Sequence, residues 1–220
     1  MLRGIFVTGT DTGVGKTVVC AALMQRLRGE VPLRYWKPIQ TGIDQDDDTV
    51  EVGRLGECAN CLHGSGVRLP RPVSPHLAAR LAHTTIDLDS LVAMTGREPA
   101  AIRWIVEGAG GVLVPINERS TMADLMTRLG LPAVVVARTS LGTINHTLLT
   151  LAALRQRAID VAGVVLVGAP DPDNRQAIEH YGQISVLGEL PHLEPLTPQA
   201  LGTLARSVLD PGGHLLKRLR

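Results

Sequence analysis

Short unbroken apolar runs alternate along this chain with longer stretches whose apolar residues recur every three or four positions. The first pattern predicts buried strands and the second amphipathic helices. RGIFVT (3–8), LRYWKP (33–38), AIRWIVEG (101–108), PAVVVA (132–137), VAGVVLVG (161–168) and ISVLGEL (184–190) read as strands. The 132–137 run is the clearest, continuous and β-branched as in a strand covered on both faces. Helical spacing marks 15–29, stopped by Gly29, then 48–56, 74–82, 121–130, closed by Gly130, and 143–158. A helix around 173–182 and a last one near 198–209 complete the predicted elements.

Local signals refine the ends. Asp48, with Glu51 three residues on, has the form of a capping box, so Asp48 is expected to cap the 48–56 helix. Ser74 precedes Pro75, which suits a first helical position. Residues 57–73, rich in Gly, Pro and polar side chains, read as a loop, and 112–116 as a short extension beyond a Gly-rich turn.

This alternation predicts an α/β fold, a mostly parallel sheet with helices on both faces. With no repeat, linker or low-complexity tract, residues 1–220 are expected to form a single domain. Ligands of such sheets bind beyond the carboxyl ends of the strands. Thr8-Gly9, Lys37, Glu107, Arg138-Thr139 and Gly168 all follow predicted strands and should converge on that edge.

Composition narrows the function classes. A net charge of +1 implies no polyanion surface, and 2% aromatic residues argue against base stacking on single-stranded nucleic acid. No nucleic-acid partner is expected. Cys20 lies in an apolar helical stretch, and Cys58 and Cys61 make a lone C-x-x-C without the second pair a structural zinc needs. No apolar run reaches about 18 residues, so no membrane span is expected. The first strand begins almost at once, leaving no room for a signal peptide, and the expected compartment is the cytoplasm.

The chemistry begins at FVTGTDTGVGKT (6–17), a strand, a glycine loop and a helix start in the order of a phosphate-binding loop. Its first glycine, Gly9, stands one place earlier than usual, so one extra residue sits in 10–12. The cradle itself is intact. Gly13 and Gly15 permit close backbone approach, and their N–H groups with the helix start form an anion nest. Lys16 would reach the β- and γ-phosphates, and the Thr17 hydroxyl would face Mg²⁺. The fold expectation is therefore P-loop NTPase-like.

GTDTGVGKT with KPIQTG (37–42) resembles the dethiobiotin synthetase family, whose phosphate loop carries the same extra residue. SPHLAA (74–79), EGAGG (107–111), LGTINHTLLT (141–150) and GELP (188–191) extend the resemblance over nearly the whole chain. It implies Lys16 and Lys37 as the catalytic lysines. It implies nucleotide contacts from Thr12, Gly13, Val14, Gly15, Lys16, Thr17 and Val18, from Asp48, and from Glu107, Gly108, Ala109 and Gly110. Mg²⁺ would be held by Thr17, Asp48 and Glu107, although Asp46 and Asp47 leave the register of the middle ligand open across 46–48.

Substrate contacts are implied at Lys37, Thr41 and the segment Leu141, Gly142, Thr143, Ile144 and Asn145, whose helix start would meet the substrate carboxylate across a homodimer interface. His146 and His76 are expected in packing or at an interface. Many members place an asparagine for adenine after the VAGVVLV strand; here Gly168 and Ala169 stand there. Backbone groups around Pro191, His192 and Leu193 would then recognise the base.

The implied activity is ureido ring closure in biotin biosynthesis. A vicinal diamine, 7,8-diaminononanoate, takes up CO₂ as a carbamate; ATP activates it as a carbamic-phosphoric anhydride, and the second amine closes the ring. Other readings fit less well. Partitioning-type switch ATPases carry a signature lysine where this chain has Asp11. A cobyrinate amidating enzyme would carry a glutaminase domain after this one, and a nucleotide kinase an arginine-rich lid.

Overall fold

The structure, a computed structural model, describes residues 2–97 and 99–220. Strand β1 (Gly4–Gly9) passes through the glycine loop into α1 (Lys16–Leu27). The chain returns as β2 (Leu33–Trp36), bends at Pro38 and continues as β3 (Ile39–Thr41). Helix α2 (Asp48–Leu55), two short strands β4 (Leu62–His63) and β5 (Val67–Leu69), α3 (Pro75–Leu81) and α4 (Leu88–Ala93) lead to the long β6 (Arg103–Gly111). Then come α5 (Met122–Leu129), β7 (Ala133–Arg138), α6 (Thr143–Gln156) and β8 (Val161–Val167). The chain ends through α7 (Pro172–Gly182), β9 (Val186–Leu190), α8 (Pro198–Val208) and α9 (His214–Leu219).

Seven strands form one sheet in the order β4-β2-β6-β1-β7-β8-β9, while β3 and β5 pair separately. Every pairing within these sheets is parallel. Successive strand residues feed opposite apolar layers, as the pleat requires. Phe6, Val106, Val135 and Leu166 enter one layer. Ile5, Val7, Ile105, Val134, Val136 and Val165 enter the other, together with the buried face of α1 and with Leu201 and Ala205 of α8. Both faces of the sheet are therefore covered, which explains the unbroken apolar runs. The chain leaves β1 towards β2 on one side and later crosses from β6 to β7 on the other, so the sheet reverses its winding beside β1. A ligand crevice is expected at such a point.

Several expectations need correction. The cap of α2 is Asp47: its Oδ1 accepts from Thr49 N at 2.8 Å and Val50 N at 3.3 Å. Asp48 is the first helical residue, and its carboxylate is drawn off by other partners described below. Residues 57–73 contain a 3-10 turn (Ala59–Cys61) and the strands β4 and β5, too short to show a period. Strand β6 runs on through Gly111, beyond the predicted end at 108. Residues 112–116 add no strand; the Val112 and Val114 carbonyls accept from Ala123 and Met122 at the start of α5, with one bridge from Pro115 to Thr121. Helix α9 follows what had read as the final helix.

Candidate active site

The glycine loop closes on itself around Lys16. Gly15 caps α1 at φ 97° and Gly13 has φ 68°, both left-handed conformations that favour glycine. A Cβ on Gly15 would stand 3.0 Å from Val167 Cγ1, so the loop also packs tightly against the end of β8. Val14 is buried beneath it. Lys16 Nζ reaches back across the loop and donates to the Asp11 carbonyl at 2.9 Å. From outside, Arg138 Nη2 donates to the Thr12 carbonyl at 2.9 Å. The extra residue is accommodated in this outer part of the loop.

Beside the loop, strand ends and helix starts bring two carboxylates and a lysine together. Glu107, from β6, is completely buried, and Lys37, just past β2, is nearly so. Lys37 Nζ lies 2.6 Å from Glu107 Oε1 and 2.5 Å from Asp48 Oδ2. Thr17 Oγ1 lies 2.9 Å from Asp48 Oδ1 and 3.1 Å from Glu107 Oε1. Glu107 Oε2 accepts from the Tyr35 hydroxyl at 2.8 Å. Of the three aspartates 46–48, Asp48 carries the carboxylate that meets Thr17 and Lys37, and Asp47 serves as the cap.

Electrostatics follow from this placement. Burial alone would lower Lys37, but the Glu107 and Asp48 carboxylates override it and hold the ammonium above its ordinary range. Burial likewise opposes ionisation of Asp48, yet Lys37 and the Thr17 hydroxyl bring its carboxyl below the usual value. Lys16 differs: burial first, and the neighbouring charge of Lys37 second, bring it down to about 8.

Two clefts adjoin along the glycine loop. One, of about 950 Å³, is lined by Thr12, Gly13, Gly15, Lys16, Thr17, Val18, Lys37, Thr41, Asp48, Glu107, Ala109 and Gly110, among others. The other, of about 750 Å³, is lined by Gly13, Val14, Gly15, Val18, Gly168, Ala169, Pro191, His192 and Leu193, with Arg138 and Thr139 beside them. Gly108 lines neither, but its carbonyl accepts from Lys37 Nζ at 3.3 Å. Leu141, Gly142, Thr143, Ile144 and Asn145 also line neither. They lead into and begin α6; Leu141 and Asn145 are exposed, and Thr143 donates to the Arg138 carbonyl. His146 and His76 are both exposed, and neither packs in the core.

The sequence profile of the AAA domain family matches residues 3–200. The ATP-dependent dethiobiotin synthetase BioD of Paramagnetospirillum magneticum is 53% identical over 92% of this chain and 95% of its own length. The enzyme of the same name from Agrobacterium fabrum is 44% identical over 89% of each chain. The chain belongs to the dethiobiotin synthetase family. Among solved structures, the septum site-determining protein MinD from Pyrococcus horikoshii, complexed with Mg-ADP, aligns with a TM-score of 0.58 at 14% identity, covering 100% of this chain and 95% of that one. That likeness shows the fold alone.

For this dethiobiotin synthetase family member, sequence reasoning passed over two buried side chains at the site. Tyr35 holds Glu107 from below, but a tyrosine at an alternating strand position looks like core. Gln40, buried at the edge of the larger cleft, donates from Nε2 to the Asp46 carbonyl at 3.0 Å and so ties β3 to the acidic loop. Its signal was available: a glutamine inside KPIQTG.

Proposed function

We propose that this chain closes a ureido ring on 7,8-diaminononanoate with CO₂ and ATP, giving dethiobiotin, ADP and phosphate. One observation carries the reading. Lys16, Thr17, Lys37, Asp48 and Glu107 line a single cleft against the glycine loop. The family relationship supplies the substrate class.

The nucleotide would lie along both clefts, its phosphates on the loop N–H groups and Lys16, and its base between Gly168-Ala169 and Pro191–Leu193. Thr17, Asp48 and Glu107 would hold Mg²⁺. Their donor set fits: the Asp48 and Glu107 carboxylates already meet one cation, the Lys37 ammonium, and the Thr17 hydroxyl lies against both carboxylates. Among the described residues no cluster of three or more His, Cys, Asp or Glu side chains converges, so an all-protein cage is not what this site offers. Mg²⁺ usually keeps waters and phosphate oxygens, and there it neutralises phosphate charge.

A carbamate oxygen attacks the γ-phosphorus, forming a P–O bond while the bond to the β-phosphate oxygen breaks and ADP leaves. Lys16 and Lys37 offset the charge on the triphosphate and the carbamate, a step governed by positioning and electrostatics. The second amine then attacks the activated carbonyl carbon, phosphate leaves, and the amine proton is lost to solvent. The two amines are neighbours, so proximity supplies much of the second step.

The same proposal includes a cytoplasmic homodimer. The start of α6 would present its N–H groups to the carboxylate of substrate in the partner's cleft. Its position outside both clefts of its own chain suits that role. Among the described residues no helix is long and apolar enough to cross a membrane.

The test is phosphate release from MgATP and bicarbonate, with and without the diamine. Release should depend on the diamine and match ring closure one for one. Diamine-independent hydrolysis, stimulated instead by a protein or DNA partner, would favour a switch ATPase and overturn the proposal.

A further inference from the structure

We propose that Tyr35 is a positioning residue for the metal site, its hydroxyl fixing the Glu107 carboxylate so that one oxygen alone is offered to the cleft. This rests on the reading of Glu107 as a metal-holding carboxylate. Tyr35 pairs across the ladder with Ile105, two residues before Glu107 on the same face of β6. It is fully buried in the layer that contains Cys20, Val52 and Ile105. A phenylalanine there would bury the same ring; the hydroxyl adds a polar group that must find a partner or cost stability. The partner found for it among the described residues is Glu107 Oε2, at 2.8 Å.

Glu107 is completely buried, so both its oxygens need donors. The Cys20 thiol also lies against Glu107, and the N–H and O–H donors divide by side. Oε1 faces Lys37 Nζ at 2.6 Å and Thr17 Oγ1 at 3.1 Å, on the cleft side. Oε2 faces Tyr35, on the core side. With Oε2 held, the carboxylate cannot turn about its last bond, and Oε1 stays aimed at the point where Thr17 and Asp48 converge. Partners of this kind behind a metal ligand are commonly worth 10- to 100-fold in metal affinity.

The experiment measures Mn²⁺ affinity of the ADP complex by electron paramagnetic resonance for wild type, Tyr35→Phe, Glu107→Gln and the double variant. Tyr35→Phe should weaken Mn²⁺ about tenfold while leaving metal-free ADP affinity unchanged. In the Glu107→Gln background it should cost nothing further. An equal loss in both backgrounds, or a loss of metal-free ADP binding, would mean that Tyr35 acts through packing and would overturn the inference. If Glu107→Gln leaves Mn²⁺ affinity intact, the reading of the site fails; if it weakens Mn²⁺ and Tyr35→Phe does not, this inference alone fails. Should Tyr35→Phe not fold, a wild-type crystal structure with Mn²⁺ and ADP decides: Oε1 on the metal and Oε2 on Tyr35 supports the proposal, and Oε2 on the metal sinks it.

Discussion

Lys37 and Glu107 form a buried ion pair, Nζ to Oε1 2.6 Å, at the place where Thr17 and Asp48 also converge. The lysine therefore does two jobs in one position: it bridges two carboxylates that would otherwise repel each other, and it holds a fixed positive charge beside the phosphate loop. Lys37→Ala should reduce kcat by at least about 100-fold, the usual cost of losing a transition-state charge contact, while the Kd for ATP changes little. The same variant leaves Glu107 buried without its cation and should lose about 3 kcal/mol of unfolding free energy. Single-turnover kinetics and denaturant titration measure the two effects separately; near-normal ring closure would remove Lys37 from the mechanism.

Much of this was legible in the sequence because the chemistry sits where apolar runs stop. Lys37, Arg138 and Gly168 each end or follow a strand, and a parallel sheet brings such ends to one edge; Glu107 stands inside the longer β6, four residues before its end. What stayed hidden has local causes. Asp47 and Asp48 have the same capping chemistry, and only the tertiary pull of Lys37 and Thr17 on Asp48 separates them. The β4 and β5 strands, two and three residues long, carry no alternation to detect. Helix α9, six residues long, shows less than two turns of periodicity. Tyr35 was invisible because burial explains a tyrosine without any role for its hydroxyl.

Lys16 gives nucleotide binding a pH dependence. Its ammonium is brought down from an ordinary 10.5 to about 8 by burial and by Lys37. A bound phosphate favours the charged form, so ADP binding above that pH must take up a proton, and affinity should fall as pH rises through about 8. Calorimetry in buffers of different ionisation enthalpy reads the uptake directly. The stability effect has the opposite sign. The unfolded chain keeps this proton to 10.5 and the folded chain releases it near 8, so the Lys16 contribution makes stability rise with pH between those values.

Gly168 has φ 135°, and an added Cβ would collide with Thr139 Oγ1. The position thus has no room for a side-chain amide. Inosine, guanosine and cytidine triphosphates should support measurable turnover, and strict ATP dependence in a competition assay would count against base recognition through backbone groups. Gly168→Ala should lose at least about 2 kcal/mol from the unfavourable backbone and the clash. Thr139→Ala in the same chain should recover the part due to the clash, which thermal unfolding of the single and double variants can separate.

The outer face of α6 and its approach bear on assembly. Leu141 is 102% exposed, Leu149 61% and, on the adjacent α7, Tyr181 69%. Exposed apolar side chains mark a contact surface where they adjoin in one patch. If that surface joins two copies, Leu149→Arg should shift the protein from dimer to monomer in sedimentation velocity. Both clefts are lined by one chain, so ATP affinity should survive in the monomer. The diamine should not fare as well, because the α6 N–H groups that would meet its carboxylate belong to the other copy. Its KM should rise at least about tenfold, the worth of one charge-assisted hydrogen bond. A fully active monomer with an unchanged KM would place substrate carboxylate recognition within a single chain.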